Sequence, residues 1–361
     1  MSDIVSPRWR VETRTRASSI FILFAAIAVV VAFAAPLFVP RSGIQDLFFI
    51  LTMLVLAQCW NLLAGYAGLV SVGQQAFVGF GAYAMFASVI LLGLDPILGI
   101  LLGGVMAALL AIPTGFFVFR LQGAYFAIGT WVLAEVVRLS LAQWKTLGGG
   151  TGTSLPSGAV RNMWGVNLVA DLFGVRPAQA VDILCYWLAL VLAVGSMAFI
   201  YGLLRSRQGL GLAAVRDNQQ AARAVGVDAL RVKSFVYFLT AFITGLAGAL
   251  IYVQKARISP DAAFAVTDWT AYVIFIVVIG GIGTLEGPII GILVLFALQT
   301  LLADYGSWYL LLLGLIGIAV MLFAPKGLWG LFTERTGIHL FPVRRILTGG
   351  PINKTQGGPD G

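Results

Sequence analysis

The chain has 361 residues, 60% of them hydrophobic and only 11% charged, and a mean hydropathy of +0.95. A soluble domain carries about 25% charged and about 45–50% apolar residues. The balance here excludes a soluble globular protein and predicts an all-α integral membrane protein that crosses the bilayer many times. The net charge of +8 does not imply a nucleic-acid partner, because the basic residues cluster between apolar runs, as the topology of a membrane protein requires.

A basic amino-terminal arm, residues 1–17, carries Arg8, Arg10, Arg14 and Arg16. The next run, Ser18–Val39, holds Ala32-Phe33-Ala34 and so imitates a signal peptide with its cleavage site. Its apolar part, Ile20–Val39, is longer than the roughly 7–15 residues of such a leader, which predicts an uncleaved first span. Further apolar runs follow at Ile44–Ala64, Leu69–Leu92, Pro96–Phe119, Ala124–Trp144, Val181–Leu204, Ser234–Val253, Trp269–Gly280, Pro288–Leu302 and Trp308–Phe323. A helix needs about 20 residues to cross a bilayer. The Trp269–Gly280 and Pro288–Leu302 runs fall short of that. They read as tilted helices extending past these limits, or as half-helices divided by the glycine-rich Gly280–Pro288.

Ten spans, with both termini cytoplasmic, place Arg120, the polar insert 205–233 and the tail 331–361 on the same side as the arm. Eight spans plus two re-entrant segments preserve that parity. The transmembrane domain is then 18–330, and the basic residues Lys326, Arg335, Arg344, Arg345 and Lys354 fall at its inner end or in the tail. The segment Lys145–Ala180 lies outside; its Gly148–Thr153 run and Pro156 suggest turn chemistry rather than a core. Trp144, Trp164, Trp269 and Trp308 fall at span ends or in outer loops, where amphipathic rings favour the membrane interface. The terminal GGPINKTQGGPDG reads as disordered.

Asn61, Gly65, Gly68, Ser71, Gln74 and Gln75 place amides, a hydroxyl and glycines at membrane depth. Irregular backbone is tolerated there only when it is buried in protein or lines water. These residues therefore either line a translocation pathway or act as hydrogen-bonding glue between helices. Gly65-x-x-Gly68 is echoed by Gly280-x-x-Gly283. Paired glycine-broken segments point to a transporter's pathway, although small residues also serve simple close packing.

Gly68-x-x-x-x-Gly73 has the glycine spacing of a nucleotide loop, but Gln74-Gln75 follows where Lys-Ser/Thr is required. Gly148–Thr153 lacks that lysine too, so the chain is not expected to bind ATP or to need a cofactor. A lone His339 excludes a multi-histidine metal site, and Cys59 and Cys185 read as buried free thiols. Glu135 and Arg138, three residues apart in the fifth span, can pair on one helical face. They serve either structure or contact with a solute or a binding protein. No nucleophile, metal or acid–base set argues for an enzyme.

The insert Arg205–Lys233 is the most informative stretch. Leu212–Val225 is rich in helix formers, and Asp217-Asn218 either interrupts it or caps a second helix, Gln219–Val225, ended by Gly226. Ala221, Ala222 and Val225 are expected on a small apolar face, with Arg216, Arg223 and Arg231 around it. Such a face suits docking into a partner's cleft.

Four stretches resemble the LivM-like branched-chain amino acid permeases of bacterial ATP-binding-cassette importers. They are NLLAGYAGLVSVGQQAFVGFGAY (Asn61–Tyr83), RSRQGLGLAAVRDNQQAARAVGVDALRVKSFVYFLTAFITGLAGALI (Arg205–Ile251), GGIGTLEGPIIG (Gly280–Gly291) and APKGLWG (Ala324–Gly330). The resemblance covers roughly Ile44 to Trp329. It implies a type II-like importer permease fold of about ten helices per subunit. It also implies that Arg216, Asp217, Asn218, Gln220, Ala221, Ala222, Arg223 and Gly226 belong to coupling helices seated in an ATPase. Where importers carry Glu-Ala-Ala-x-x-x-Gly, this chain has Gln220-Ala221-Ala222-x-x-x-Gly226. The implied partners are a homologous second permease, two cytoplasmic ATP-binding subunits and a periplasmic solute-binding protein. The implied location is the bacterial inner membrane. Amino acids, urea, short amides and aromatic acids are all solutes of such permeases. An ion-coupled secondary transporter is the rival reading, and the scarcity of ionisable residues at membrane depth weighs against it.

Overall fold

The computed structural model describes residues 10–12, 16–302, 305–306, 308–336, 340–341 and 346–348. Arg8, Arg14, His339, Arg344, Arg345, Lys354 and the terminal GGPINKTQGGPDG lie outside the described residues. A short strand β1 (Arg10–Glu12) precedes helix α1 (Arg16–Ala34). A 3-10 turn at Ala35–Leu37, made of Ala-Pro-Leu, leads to α2 (Arg41–Asn61). α2 runs on as a π-helical turn, Leu62–Tyr66, and the chain is then irregular until α3 (Gln74–Leu92). The third apolar run therefore becomes helical at Gln74 rather than at Leu69.

Gly93 closes α3 with a φ of +64°, a conformation that a β-carbon disfavours. Asp95 then caps α4 (Pro96–Val118), its Oδ1 accepting from the Ile97 amide at 2.8 Å, with Pro96 at the first helical position. α5 (Ala124–Ala142) completes the first half. The outer segment folds as β2 (Thr153–Ser154), α6 (Ser157–Arg161) and α7 (Val166–Phe173), and leads to the long α8 (Pro177–Arg205). The insert supplies α9 (Arg207–Asp217) and α10 (Gln219–Ala224) before α11 (Ala229–Lys255). After β3 (Arg257–Ile258) come α12 (Pro260–Ala263), a π turn at Thr267–Ala271, α13 (Tyr272–Gly280), α14 (Gly287–Leu302), α15 (Trp308–Phe323), α16 (Gly327–Thr336) and β4 (Ile346–Thr348).

Among the described residues, eight helical stretches are long and apolar enough to cross a membrane: 41–66, 74–92, 96–118, 124–142, 177–205, 229–255, 260–280 and 308–336. Two apolar helices are shorter, Phe24–Phe33 within α1 and α14. The 16 residues of α14 reach about 24 Å at 1.5 Å per residue. The eighth run is not a half-helix, because Pro260 and the π turn extend it outward to 21 residues. Trp269 consequently lies within a span rather than at its end. It is buried, and its indole Nε1 donates to the Ala262 carbonyl at 2.8 Å. Trp144, Trp164 and Trp308 are exposed.

α2, α3, α4 and α11 form the centre. Without a hydrophobic drive between helices in lipid, close backbone approach supplies the packing energy. Glycines permit it here: a β-carbon on Gly81 would lie 2.5 Å from the Gly245 carbonyl oxygen, and one on Gly248 would lie 2.2 Å from that of Val78. The outer segment is not mere turn chemistry. Leu147, Leu155, Met163, Val166 and Val169 are buried within the main core, and β2 pairs antiparallel with β3. Their spacing is irregular, so the apolar signal shows no helical or strand period.

The loops expected on one side of the membrane meet one another, a parity shared by ten crossings and by eight with two re-entrant segments. Outside loops meet one another: Thr153 pairs with Ile258, and the Trp164 amide donates to Asp95 at 2.9 Å. Inside loops do the same: Arg216 reaches Gly65, and the Phe341 amide donates to Glu286 at 2.8 Å.

Candidate functional site: the broken segment and the insert

α2 ends in two buried amides, Gln58 and Asn61, which share a helical face three residues apart. Gln58 Nε2 donates to the Leu285 carbonyl at 2.7 Å. Asn61 Nδ2 donates to the Thr284 carbonyl at 2.7 Å, while its Oδ1 accepts from the Gly283 amide at 2.8 Å. The end of α2 is therefore stitched to the 281–286 turn that follows α13. Thr284 Oγ1 completes the turn, donating to Gly281 at 2.7 Å and accepting from the Gly287 amide at 3.1 Å. The two glycine pairs that echo each other in the sequence meet in space through Gly65 and Gly283 alone. A β-carbon on Gly65 would lie 2.6 Å from Gly283 N, and one on Gly280 would lie 1.8 Å from the Gly287 carbonyl oxygen.

Beyond the π turn, Gly68 takes a φ of +69° and the chain turns back towards α3. Trp60 Nε1 donates to the Ser71 carbonyl at 2.7 Å, and Ser71 Oγ accepts from the Gly73 amide at 3.2 Å. Gln74 Nε2 donates to Thr244 Oγ1 at 2.7 Å, and Gln75 Oε1 accepts from Thr270 Oγ1. Asn61, Ser71, Gln74 and Gln75 thus point into the chain and bond it together. What the break presents outward is Gly68 and Val70.

The insert folds by its caps. Asn218 Oδ1 accepts from the amides of Gln220 and Ala221, both at 3.0 Å, so the interruption after Asp217 is the N-cap of α10. Gly226, with a φ of +85°, ends it, and the Val227 amide returns to the Ala222 carbonyl at 3.0 Å. Asp228 then caps α11 at the amides of Leu230 and Arg231.

The small face is divided. Ala222 is buried against Val215 and Ala229 of the same chain, whereas Ala221 and Val225 face outward. Gln220 and Arg223 are exposed as well. Arg216 is not a free rim residue: its Nη1 donates to the Gly65 carbonyl at 3.1 Å, and its Nε and Nη2 reach Asp217. Leu210, Val225 and Leu230 stand 71%, 77% and 55% exposed on this polar insert.

Glu135 and Arg138 do pair, at 2.5 Å, and Arg138 Nη1 also holds Asp261 at 2.6 Å, which ties α5 to the start of α12. Sequence reasoning passed over Gln58, Thr284 and Glu286, which complete the inner junction, and Asp182, which is buried and paired with Arg41 at 2.5 Å. An acid at the edge of an apolar run was the available signal for Asp182. Cys59 and Cys185 are both free and buried.

The family model described as "Branched-chain amino acid transport system / permease component" matches residues 42–325. The "High-affinity branched-chain amino acid transport system permease protein LivM" of Escherichia coli K12 is 30% identical over 318 residues, covering 85% of this chain and 74% of that protein. Methanocaldococcus jannaschii has two further relatives, both named as probable branched-chain amino acid transport permease proteins. Its LivM is 25% identical over 75% of this chain and 77% of its own length; its LivH is 26% identical over 50% and 55%. No solved structure matches the chain at a significant level. The residues that form the break, the insert and the glycine turn all lie inside the matched region, and this multi-pass membrane protein belongs to the family of branched-chain amino acid transport permease components.

Proposed function

We propose that this permease component carries amino acids of the branched-chain class inward across the bacterial inner membrane, driven by separate ATP-binding subunits. The relatives' names support the solute class. The coexistence of LivM-like and LivH-like matches supports pairing with a second, homologous permease. A periplasmic binding protein delivers the solute, and both termini are cytoplasmic. The pairing of β1 with β4 supports the placement of both terminal segments on one side.

The observation that carries the reading is the insert: two capped short helices with Leu210, Val225 and Leu230 exposed on an otherwise polar segment. Three exposed apolar side chains within one short polar insert support a docking role for it. In the cycle, ATP closes the two ATPases, the seated insert moves with them, and the paired permeases change the side on which the pathway is open. ATP shifts that equilibrium only by the difference in its affinity for the two states. The pathway runs past the break where Gly68 and Val70 are exposed, with Asn61, Gly65, Ser71, Gln74, Gln75, Gly280 and Gly283 shaping it from behind. Uncharged backbone and amides suit a zwitterion better than fixed charge.

Co-purification of the chain with its ATP-binding subunit tests the reading. The wild-type pair holds together, and Val225→Arg, which places a charge on the docking face, abolishes the association while membrane insertion is unchanged. Association that survives Val225→Arg, or uptake of labelled leucine that persists in cells lacking the ATPase, contradicts the reading.

A further inference from the structure

Arg216 belongs to the insert but points into the membrane domain. Its Nη1 bonds the Gly65 carbonyl at 3.1 Å, and a β-carbon added to Gly68 would meet its Cγ at 3.7 Å. Gly65 lies in the π turn that ends α2, where carbonyls lose their regular intrahelical donors. A cation there also meets the negative end of the helix dipole. A shared apolar cluster runs in parallel. Leu212, one turn earlier on α9, is buried in the same cluster as Leu62, Leu63 and Leu285. On its far side Gly65 touches the backbone of Gly283, which Asn61 holds. A displacement of α9 therefore reaches both glycine-broken segments through one guanidinium and one leucine. Arg223 stays exposed, and Arg231 pairs locally with Asp228 at 2.9 Å.

We propose that Arg216 is the positioning residue that transmits movement of the insert to the broken segment, by holding the Gly65 carbonyl rather than by contacting the ATPase. The proposal rests on the importer reading above. Gln at this position lacks both the charge and the reach, and leaves a carbonyl at the break without its donor.

The test uses the assembled complex in proteoliposomes and reads solute moved per ATP hydrolysed. Arg216→Gln is expected to co-purify with the ATPase and yet to move about tenfold less solute per ATP, equivalent to about 1.4 kcal/mol of lost coupling. Arg216→Lys, which keeps a charge and a donor, recovers part of that loss. Leu212→Ala, which loosens the apolar half of the link, lowers the ratio in the same direction and serves if Arg216→Gln does not accumulate. An unchanged ratio in these variants overturns the proposal. Loss of ATPase association in Arg216→Gln overturns it too, by making Arg216 a docking residue. A wild-type chain that binds no ATPase overturns the importer reading itself, which separates the two failures.

Discussion

At the scale of single residues, the inner junction depends on what is missing from Gly65. A methyl there meets both Gly283 N and Asn61 Oδ1 at 2.6 Å, and the first of these is backbone and cannot swing away. Overpacking of this kind costs about 1–3 kcal/mol. Gly65→Ala is therefore expected to lower the melting temperature of the detergent-solubilised protein by several degrees. Gly195→Ala, where an added β-carbon meets nothing within 4 Å, leaves it unchanged. Equal melting points for the two variants would show that the crossing is looser than described. The break was legible, because glycines and amides at membrane depth mark backbone that is buried in protein or lines water, but the sequence leaves open whether the amides bond helices or line a pathway. Their partners were not legible: Asn61 and Thr284 are 223 residues apart, and no local pattern encodes which distant carbonyl an amide will meet.

The elements of the insert were more legible, and for a physical reason. Caps are local, so Asn218 and Gly226 reveal the limits of α10 from chemistry within one turn. The orientation of α10 is not local. Val215 and Ala229, on the flanking helices, claim Ala222 and turn Val225 outward. The two positions should therefore respond differently to the same charge. Ala222→Arg buries an unpaired cation and makes the insert susceptible to protease, whereas Val225→Arg leaves its protease resistance at the wild-type level. Digestion of inside-out vesicles checks this, and equal susceptibility of the two would contradict the assigned faces. Of the readings open for the eighth run, extension past its limits holds and the half-helix fails. The interface placement of Trp269 fails with it, because the ring resembles an interface anchor in sequence. Pro260 and a π turn instead carry the helix further out and bury the ring.

For the whole molecule, hydropathy was sufficient to read a multi-pass helical protein, and among the described residues four loop contacts join neighbours that the expected parity puts on one side. Composition could not show that the outer segment contributes Leu147, Met163 and Val166 to the core, since a core built from irregularly spaced residues has no periodicity. Transport driven by ATP-binding subunits needs the insert to face the compartment where ATP is available. Thiol labelling decides this, because Cys59 and Cys185 are buried and contribute little background. Arg223→Cys is expected to react with a membrane-impermeant maleimide in inside-out vesicles and not in spheroplasts, and Leu168→Cys on α7 should do the reverse. Labelling of the residue 223 cysteine in spheroplasts would put the insert on the wrong face of the membrane and contradict the account.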